Sequence, residues 1–211
     1  MIKLEFEGVD GSGKSSNMQY FTGQARKRGL KVIETREVGN PHVPSCIKMR
    51  EFVLDPNSNL SGESMELIFS AMRVESDIWL KNLSKSENPP DLVISDRGYF
   101  SHLAYGLHNT SESFVTGLFE NFMAKQTNLP DAVIYFRVNT ETALKRRIKR
   151  GGTMDVIEMK GVKYQEKVRE AFEYYLNKSG LTVYEVDANQ SIEGVQEQLD
   201  GILNMIQQAV L

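Results

Sequence analysis

Phe6–Asn17 reads FEGVDGSGKSSN, and this stretch decides the fold. Gly8, Gly13, Lys14 and Ser15 stand at the spacing G-x-x-x-x-G-K-[ST], the pattern of a phosphate cradle. Glycines let successive backbone N–H groups turn inward, the lysine reaches the outer phosphates, and the hydroxyl ligates magnesium. A glycine-rich turn can also join a strand to a helix and bind nothing. Here the apolar-leaning MIKLE precedes the loop and a helical segment, Ser15–Gly29, follows it, which is the context that phosphate binding needs. The helix beginning near Lys14 also turns its positive end toward the phosphates. The loop predicts a bound nucleoside triphosphate; the acceptor of its phosphate must be read elsewhere.

Outward from the loop, five short β-branched or aromatic runs bounded by turn signals read as buried strands: 2–8, 31–37, 91–97, 132–138 and 181–188. Helical segments lie between them, among them Ala143–Arg150 and Gln165–Asn177. Strands alternating with helical crossovers predict an α/β fold of the P-loop NTPase type. Its five-stranded parallel sheet would carry helices on both faces, in one domain spanning 1–211. Sites in such folds gather at the carboxyl ends of the strands. Those ends carry the glycine loop, Thr35-Arg36-Glu37, Ser95-Asp96-Arg97 and Asp187-Ala188-Asn189, so the topology would bring the reactive side chains together.

Bulk properties narrow the class. A net charge of −3 argues against a broad nucleic-acid or anionic-membrane surface. Cys46 is alone, which excludes an intrachain disulfide, and His42, His102 and His108 lack zinc-ligand spacing. Neither a leader-like start nor an apolar run long enough to span a bilayer is present, and a cytoplasmic location is expected.

Asp96 ends the third strand, where a carboxylate in such a fold helps hold magnesium directly or through water. Arg36 and Arg97 end neighbouring strands and together form a clamp for a second phosphate, distinct from the triphosphate. In LIFSAMRVE (67–75), Phe69 and Arg73 are four apart and share a helix face. An aromatic plane and a guanidinium there can stack on a base and bond its edge; a core Phe beside a surface Arg is the plainer alternative. Tyr105 is equally open to a packing role. The run LKRRIKRGGTMD (144–155) is either a solvated helix face or a flap, about 146–160, that closes on the phosphates with Gly151 and Gly152 as hinge. The phosphate loop itself holds no arginine, which favours the flap as the source of transition-state charge.

In this order the motifs resemble the thymidylate kinase family of nucleoside monophosphate kinases, over most of the chain. FEGVDGSGKSS is similar to the family's phosphate loop, TREVGNP to TREPGGT, LIFSAMR to its base-binding LLFAADR helix, and SDRGYFSHLAYG to DRYxxSxxAYQG. PDAVIYFRVNTETALKRR, DVIEMKGVKYQEKVREAFEYYL and VDANQSIEGVQEQL follow the family's fourth strand, closing helix and adenine-side loop.

The resemblance implies ATP- and Mg2+-dependent phosphorylation of dTMP to dTDP. It assigns ATP to Gly8, Asp10, Gly11, Ser12, Gly13, Lys14, Ser15 and Ser16, with Arg146, Ala188 and Asn189 bracketing adenine, and magnesium to Ser15 and Asp96. Phe69 would stack on thymine and Arg73 bond its edge. Arg36, Arg97 and Arg50 would hold the monophosphate, and Asp10 would meet the sugar 3′-hydroxyl or the metal. Tyr105 would exclude a ribose 2′-hydroxyl, with Glu37, Ser101 and His102 also facing the acceptor. Lys14, Arg97, Asp10 and a flap arginine, Arg147 or Arg150, would carry catalysis. A homodimer packed through helices is implied as well.

Several positions depart from the family pattern. Val38 and Asn40 alter TREPGG, Ser16 replaces Thr, Val156 stands where arginine is frequent, and His102 stands where small polar residues often face the pyrimidine. Gly98 replaces an aromatic residue and is expected to open space near the base or sugar. That change would also suit a kinase for another or modified deoxynucleotide. A nucleoside kinase of related fold would need a carboxylate base and have no use for the Arg36/Arg97 pair. A nucleotide sensor without turnover would have no use for the intact lysine, aspartate and flap arginines.

Overall fold

The computed structural model describes residues 1–107, 110–123, 129–150 and 162–210, with the side chains of 121–123, 150 and 210 left aside. Five parallel strands form one sheet in the order β2-β3-β1-β4-β5. They are β1 (Ile2–Glu7), β2 (Val32–Arg36), β3 (Leu92–Asp96), β4 (Ala132–Arg137) and β5 (Thr182–Asp187). Each lies within a residue of its predicted bounds. The helices are α1 (Lys14–Lys27), α2 (Pro44–Leu54), α3 (Gly62–Ser84), α4 (Tyr99–Gly106), α5 (Glu112–Met123), α6 (Thr140–Arg150), α7 (Val162–Lys178) and α8 (Ile192–Val210).

The central strand β1 sets the site's position. Phe6 pairs in register with Asp96 of β3 on one side and Ile134 of β4 on the other. The glycine loop therefore leaves the sheet between the two halves that will carry donor and acceptor groups. Side chains alternate across a strand, so Leu4 and Phe6 face one layer while Lys3, Glu5 and Glu7 face the other. Phe6 is fully buried and meets Phe21 of α1 edge-on at 5.4 Å, and each such ring contributes roughly 1.5–3 kcal/mol. The opposite face is unusual, because all three of its β1 residues are charged and all three are buried. There α4 packs by polar contacts: Tyr99 N donates to Glu5 Oε2 at 3.0 Å and Ser101 N to Glu7 Oε1 at 2.9 Å.

Helix α3 starts where Ser61 Oγ accepts from Ser64 N, a side-chain cap. It joins α2 in a second small core of Val43, Cys46 and Met72. Its exposed side is a stripe of Leu67, Ala71, Val74 and Ile78, spaced to lie on one helical face. Among the described residues no helix is long and apolar enough to cross a membrane. The expected flap falls mostly outside the described residues; positions 146–150 continue α6.

Candidate active site

The part of the site expected to hold the donor is framed by main chain. Gly13 caps α1 in the left-handed conformation (φ 83°), which aims the first free N–H groups of the helix into the loop. Gly11 (φ 87°) lets α6 approach: a Cβ there would lie 2.4 Å from the Ala143 carbonyl oxygen. The same contact sets Arg147 against the loop, its Cγ 3.0 Å from that position, and its charge is felt at Asp10. Arg146 reaches the other way, Nη1 donating to Ala188 O at 2.7 Å and to Ser12 O at 3.5 Å. Asn189 accepts from Asn139 N at 3.0 Å. The structure thus gathers Arg146, Ala188 and Asn189, the expected adenine bracket, beside the loop. Ser16 is exposed on the first turn of α1, and the Arg150 side chain lies outside the described residues.

Lys14, 6% exposed, pairs with Asp96 Oδ1, and Ser15 Oγ lies 3.4 Å from the other Asp96 oxygen. Burial, then the nearby Arg97 charge, push the Lys14 ammonium down to about 7, with Glu7 and Asp10 opposing. A phosphate beside it would restore full protonation. A hydroxyl and a carboxylate at one strand mouth are hard oxygen donors that suit Mg2+, which keeps several waters and phosphate oxygens among its ligands.

The part expected to hold the acceptor is made of side chains. Arg97 adopts φ 64°, a left-handed conformation costly for a non-glycine residue, and its amide bonds to Phe6 O. The turn aims its guanidinium inward: Nη1 donates to Gly8 O (3.1 Å) and Ser101 Oγ (3.0 Å), and Nη2 to Asp10 Oδ1 (2.5 Å). Tyr105 completes the group, its hydroxyl donating to Asp10 Oδ2 at 3.1 Å and its ring lying 4.9 Å from the Arg97 guanidinium. Burial opposes ionisation of Asp10, but Arg97, then the Tyr105 hydrogen bond, Lys14 and Arg147 hold its carboxyl below the usual range. Arg36 sits at the rim, exposed, with Nε donating to Gly39 O at 3.0 Å. Arg50 donates to Val38 O, and burial together with the Arg36 and Arg97 charges lowers its pKa. Arg50 thus feels both other guanidiniums, and a positive cluster of this kind suits an anion.

Among the residues expected to read the base, some expectations change. Arg73 is buried (5% exposed) and Phe69 is only partly so, the reverse of a core Phe beside a surface Arg. Arg73 Nη2 donates to Gly98 O at 2.9 Å. His102 turns toward α3, where Nε2 meets Glu66 Oε2 at 2.7 Å and Phe69 meets its ring edge-on at 5.9 Å. It stands behind Phe69 instead of lining open space, and burial first, then Arg73, lower its pKa against the pull of Glu66. Ser101 is spent on Glu7 and Arg97, so it supports the clamp from behind. Glu37 is buried, its carboxyl raised by desolvation against the pull of Arg73 and Lys3. Gly98 opens no space, because the Glu5 carboxylate fills it.

Sequence reasoning missed Glu5, Glu7 and Glu66. Burial, then the Glu5 charge, raise the Glu7 carboxyl to about 6 against the Ser101 hydrogen bond and Arg97. A signal was available: charges at 3, 5 and 7 in the central strand of a parallel sheet have no route to water and must be used internally.

The sequence is similar to known proteins along nearly its whole length. The sequence model of the family described as Thymidylate kinase matches residues 6–199. The thymidylate kinase of Campylobacter curvus (strain 525.92) is 31% identical over 199 residues, covering 94% of this chain and 97% of that protein. That of Campylobacter concisus (strain 13826) is 30% identical over 202 residues, with the same two coverages. The thymidylate kinase of Sulfurovum sp. (strain NBC37-1) is 31% identical over 196 residues, 92% of this chain and 95% of the relative. With the glycine loop, the inward Arg97 and the Phe69–Arg73 helix in place, the chain belongs to the thymidylate kinase family.

Proposed function

We propose that this chain transfers the γ-phosphoryl group of ATP to dTMP, giving dTDP and ADP. The observation that carries the reading is the cluster of Arg97, bonded to Gly8 O and Asp10 of the glycine loop, with Arg50, which feels both Arg97 and Arg36. A second anion pocket is what a monophosphate acceptor requires.

In the transfer, an acceptor phosphate oxygen forms a bond to the γ-phosphorus while the bond to the β,γ-bridging oxygen breaks and its electron pair leaves with ADP. The attacking oxygen is already anionic, so no general base is needed. Catalysis is positioning and charge neutralisation. Lys14 meets the outer phosphates, Arg97 holds the acceptor in line, and Arg147 or Arg150 supplies charge to the group in flight. Ser15 and Asp96 would hold magnesium, which when bound neutralises the developing charge on the phosphates. Asp10, kept ionised by Arg97, meets the sugar 3′-hydroxyl, and Tyr105 crowds the 2′ position. Phe69 stacks on the base and Arg73 bonds its edge. Arg146 with the Ala188–Asn189 turn cradles adenine.

The apolar stripe Leu67, Ala71, Val74 and Ile78 on α3 supports a homodimer, since such a stripe lies against a partner. Light scattering should give twice the chain mass, and Val74→Glu with Ile78→Glu should give monomers. One domain spanning 1–211, in the cytoplasm where deoxynucleotides are made, completes the reading.

A panel of dTMP, dUMP, dCMP, UMP and thymidine with ATP and Mg2+ tests the activity. Turnover should be greatest with dTMP. Turnover of thymidine alone would replace the reading with a nucleoside kinase, and ADP formation with none of them would remove the enzymatic one.

A further inference from the structure

The buried charged face of β1 lies directly beneath the acceptor-base end of the site. Glu5 is fully buried at its middle, with Lys3 Nζ 2.9 Å from Oε1. Its other oxygen accepts from Tyr99 N at 3.0 Å. The carbonyl of the same peptide group, Gly98 O, accepts from Arg73 Nη2 at 2.9 Å. One amide plane is therefore gripped by an anion at its N–H and a cation at its C=O, and each contact polarises the amide in the sense that strengthens the other. The Arg73 guanidinium also lies 5.6 Å from the centre of the Tyr99 ring, so residues 98 and 99 each meet it once.

Gly98 explains itself in the same terms. Its backbone is extended (φ −168°), which any residue adopts, so conformation does not demand glycine. Space does: a Cβ there would lie 2.0 Å from Cδ of Glu5 and 2.1 Å from Oε2. The carboxylate occupies the volume that a side chain at 98 would take.

We propose that Glu5 is a positioning residue for acceptor recognition: through the Gly98–Tyr99 peptide it fixes the Arg73 guanidinium, and Gly98 is its obligatory partner. The inference rests on the reading of Arg73 as the contact to the acceptor base. A buried ion pair alone is weak evidence of stability and can often be replaced by apolar residues without loss. Lys3 and Glu5 are on this view retained for where they hold the amide.

The experiment compares five forms of the full chain: wild type, Lys3→Met/Glu5→Gln, Lys3→Met/Glu5→Ala, Gly98→Ala, and the triple variant Lys3→Met/Glu5→Ala/Gly98→Ala. Both charges of the pair are removed together, so neither is left without the other, and Glu37, which also feels Lys3, keeps Arg73. Each form is measured for KM of dTMP, KM of ATP, kcat and Tm. Lys3→Met/Glu5→Gln keeps an acceptor for Tyr99 N and should hold the dTMP KM within threefold of wild type. Lys3→Met/Glu5→Ala should raise it about tenfold with the ATP KM within twofold. Gly98→Ala should raise it similarly, yet add less than twofold in the Lys3→Met/Glu5→Ala background, the non-additivity of groups acting as one unit. An unchanged dTMP KM in Lys3→Met/Glu5→Ala, equal rises in both KM values, or additive effects of the two sites would each overturn the proposal. Arg73→Ala separates the two levels. If it leaves the dTMP KM unchanged, the base-contact reading fails and takes the proposal with it; if it raises the KM while Glu5 variants do not, only the positioning role fails.

Discussion

Around Lys14 the chain builds its pocket from main chain, with a left-handed glycine cap, a helix N-terminus and a loop close enough to α6 that a methyl group would collide. Around Arg97 it builds from side chains, and almost every one is held by another: Arg97 by Asp10 and Ser101, Asp10 by Tyr105, Ser101 by Glu7, Arg73 by Gly98 over Glu5. A main-chain pocket recognises what all nucleoside triphosphates share. A side-chain pocket can be tuned residue by residue, at the cost of burying charge. The two halves should therefore fail differently when mutated.

The largest effect is expected on the donor side. Lys14→Met should lower kcat on the order of 10³-fold, the scale of losing a cation from phosphoryl transfer. It should also raise Tm at neutral pH, because the lysine is desolvated and its ammonium is pushed down to about 7. A lowered folded pKa means stability is lost as pH falls toward it, so the gain in Tm should be greater at pH 6 than at pH 9. Undiminished turnover, or a lower Tm, would erase the distinction between the halves.

Next comes Arg97. Removing its side chain breaks a network of charge-assisted bonds and should cost about 3–4 kcal/mol in kcat/KM for dTMP, some hundreds-fold. Because the residue sits at φ 64°, Arg97→Gly relieves the backbone where Arg97→Ala does not, and should be the more stable variant by about 1 kcal/mol in urea unfolding. Equal stabilities would mean that the turn is held open by something other than residue 97.

Arg36 sharpens the contrast within the acceptor half. It is exposed at the rim, so Arg36→Ala should raise the dTMP KM only about tenfold, with the effect shrinking at high salt. Insensitivity to salt would place it deeper than its exposure indicates.

The smallest effect is a proton. With the Lys14 ammonium at about 7 in the free chain, ATP binding at pH 7 should draw in roughly half a proton, and affinity should fall as pH rises toward 9. Titration calorimetry in two buffers of different ionisation enthalpy measures this directly. Zero uptake, or the same uptake in Lys14→Met, would remove Lys14 as its source.

This division also sets what could be read in advance. The strands and the loop were legible because β-branched runs and a fixed-spacing motif are local; the approach of Arg146 to the Ala188–Asn189 turn, 42 positions away, came only from the family resemblance. That Arg97 lies beside the glycine loop was legible from its place at a strand end. Its left-handed turn was not, since no local residue preference calls for arginine there. Gly98 was misread as an opening because its occupant, Glu5, lies 93 positions earlier and meets it only through sheet register. His102 was placed against the acceptor, but its partner Glu66 comes from another helix. Long-range polar pairs leave no periodic trace, and only the charges at 3, 5 and 7 hinted at one.

Helix α3 carries Phe69 and Arg73 inward and Leu67, Val74 and Ile78 outward, within about three turns. Over that stretch the helix has working residues on two opposite sides. On the proposed readings of a homodimer and of Phe69 and Arg73 as base contacts, a partner against its outer residues would also brace the wall that reads the pyrimidine. Engineering that surface for solubility would thus be felt first as a change in nucleotide preference, before any loss of stability.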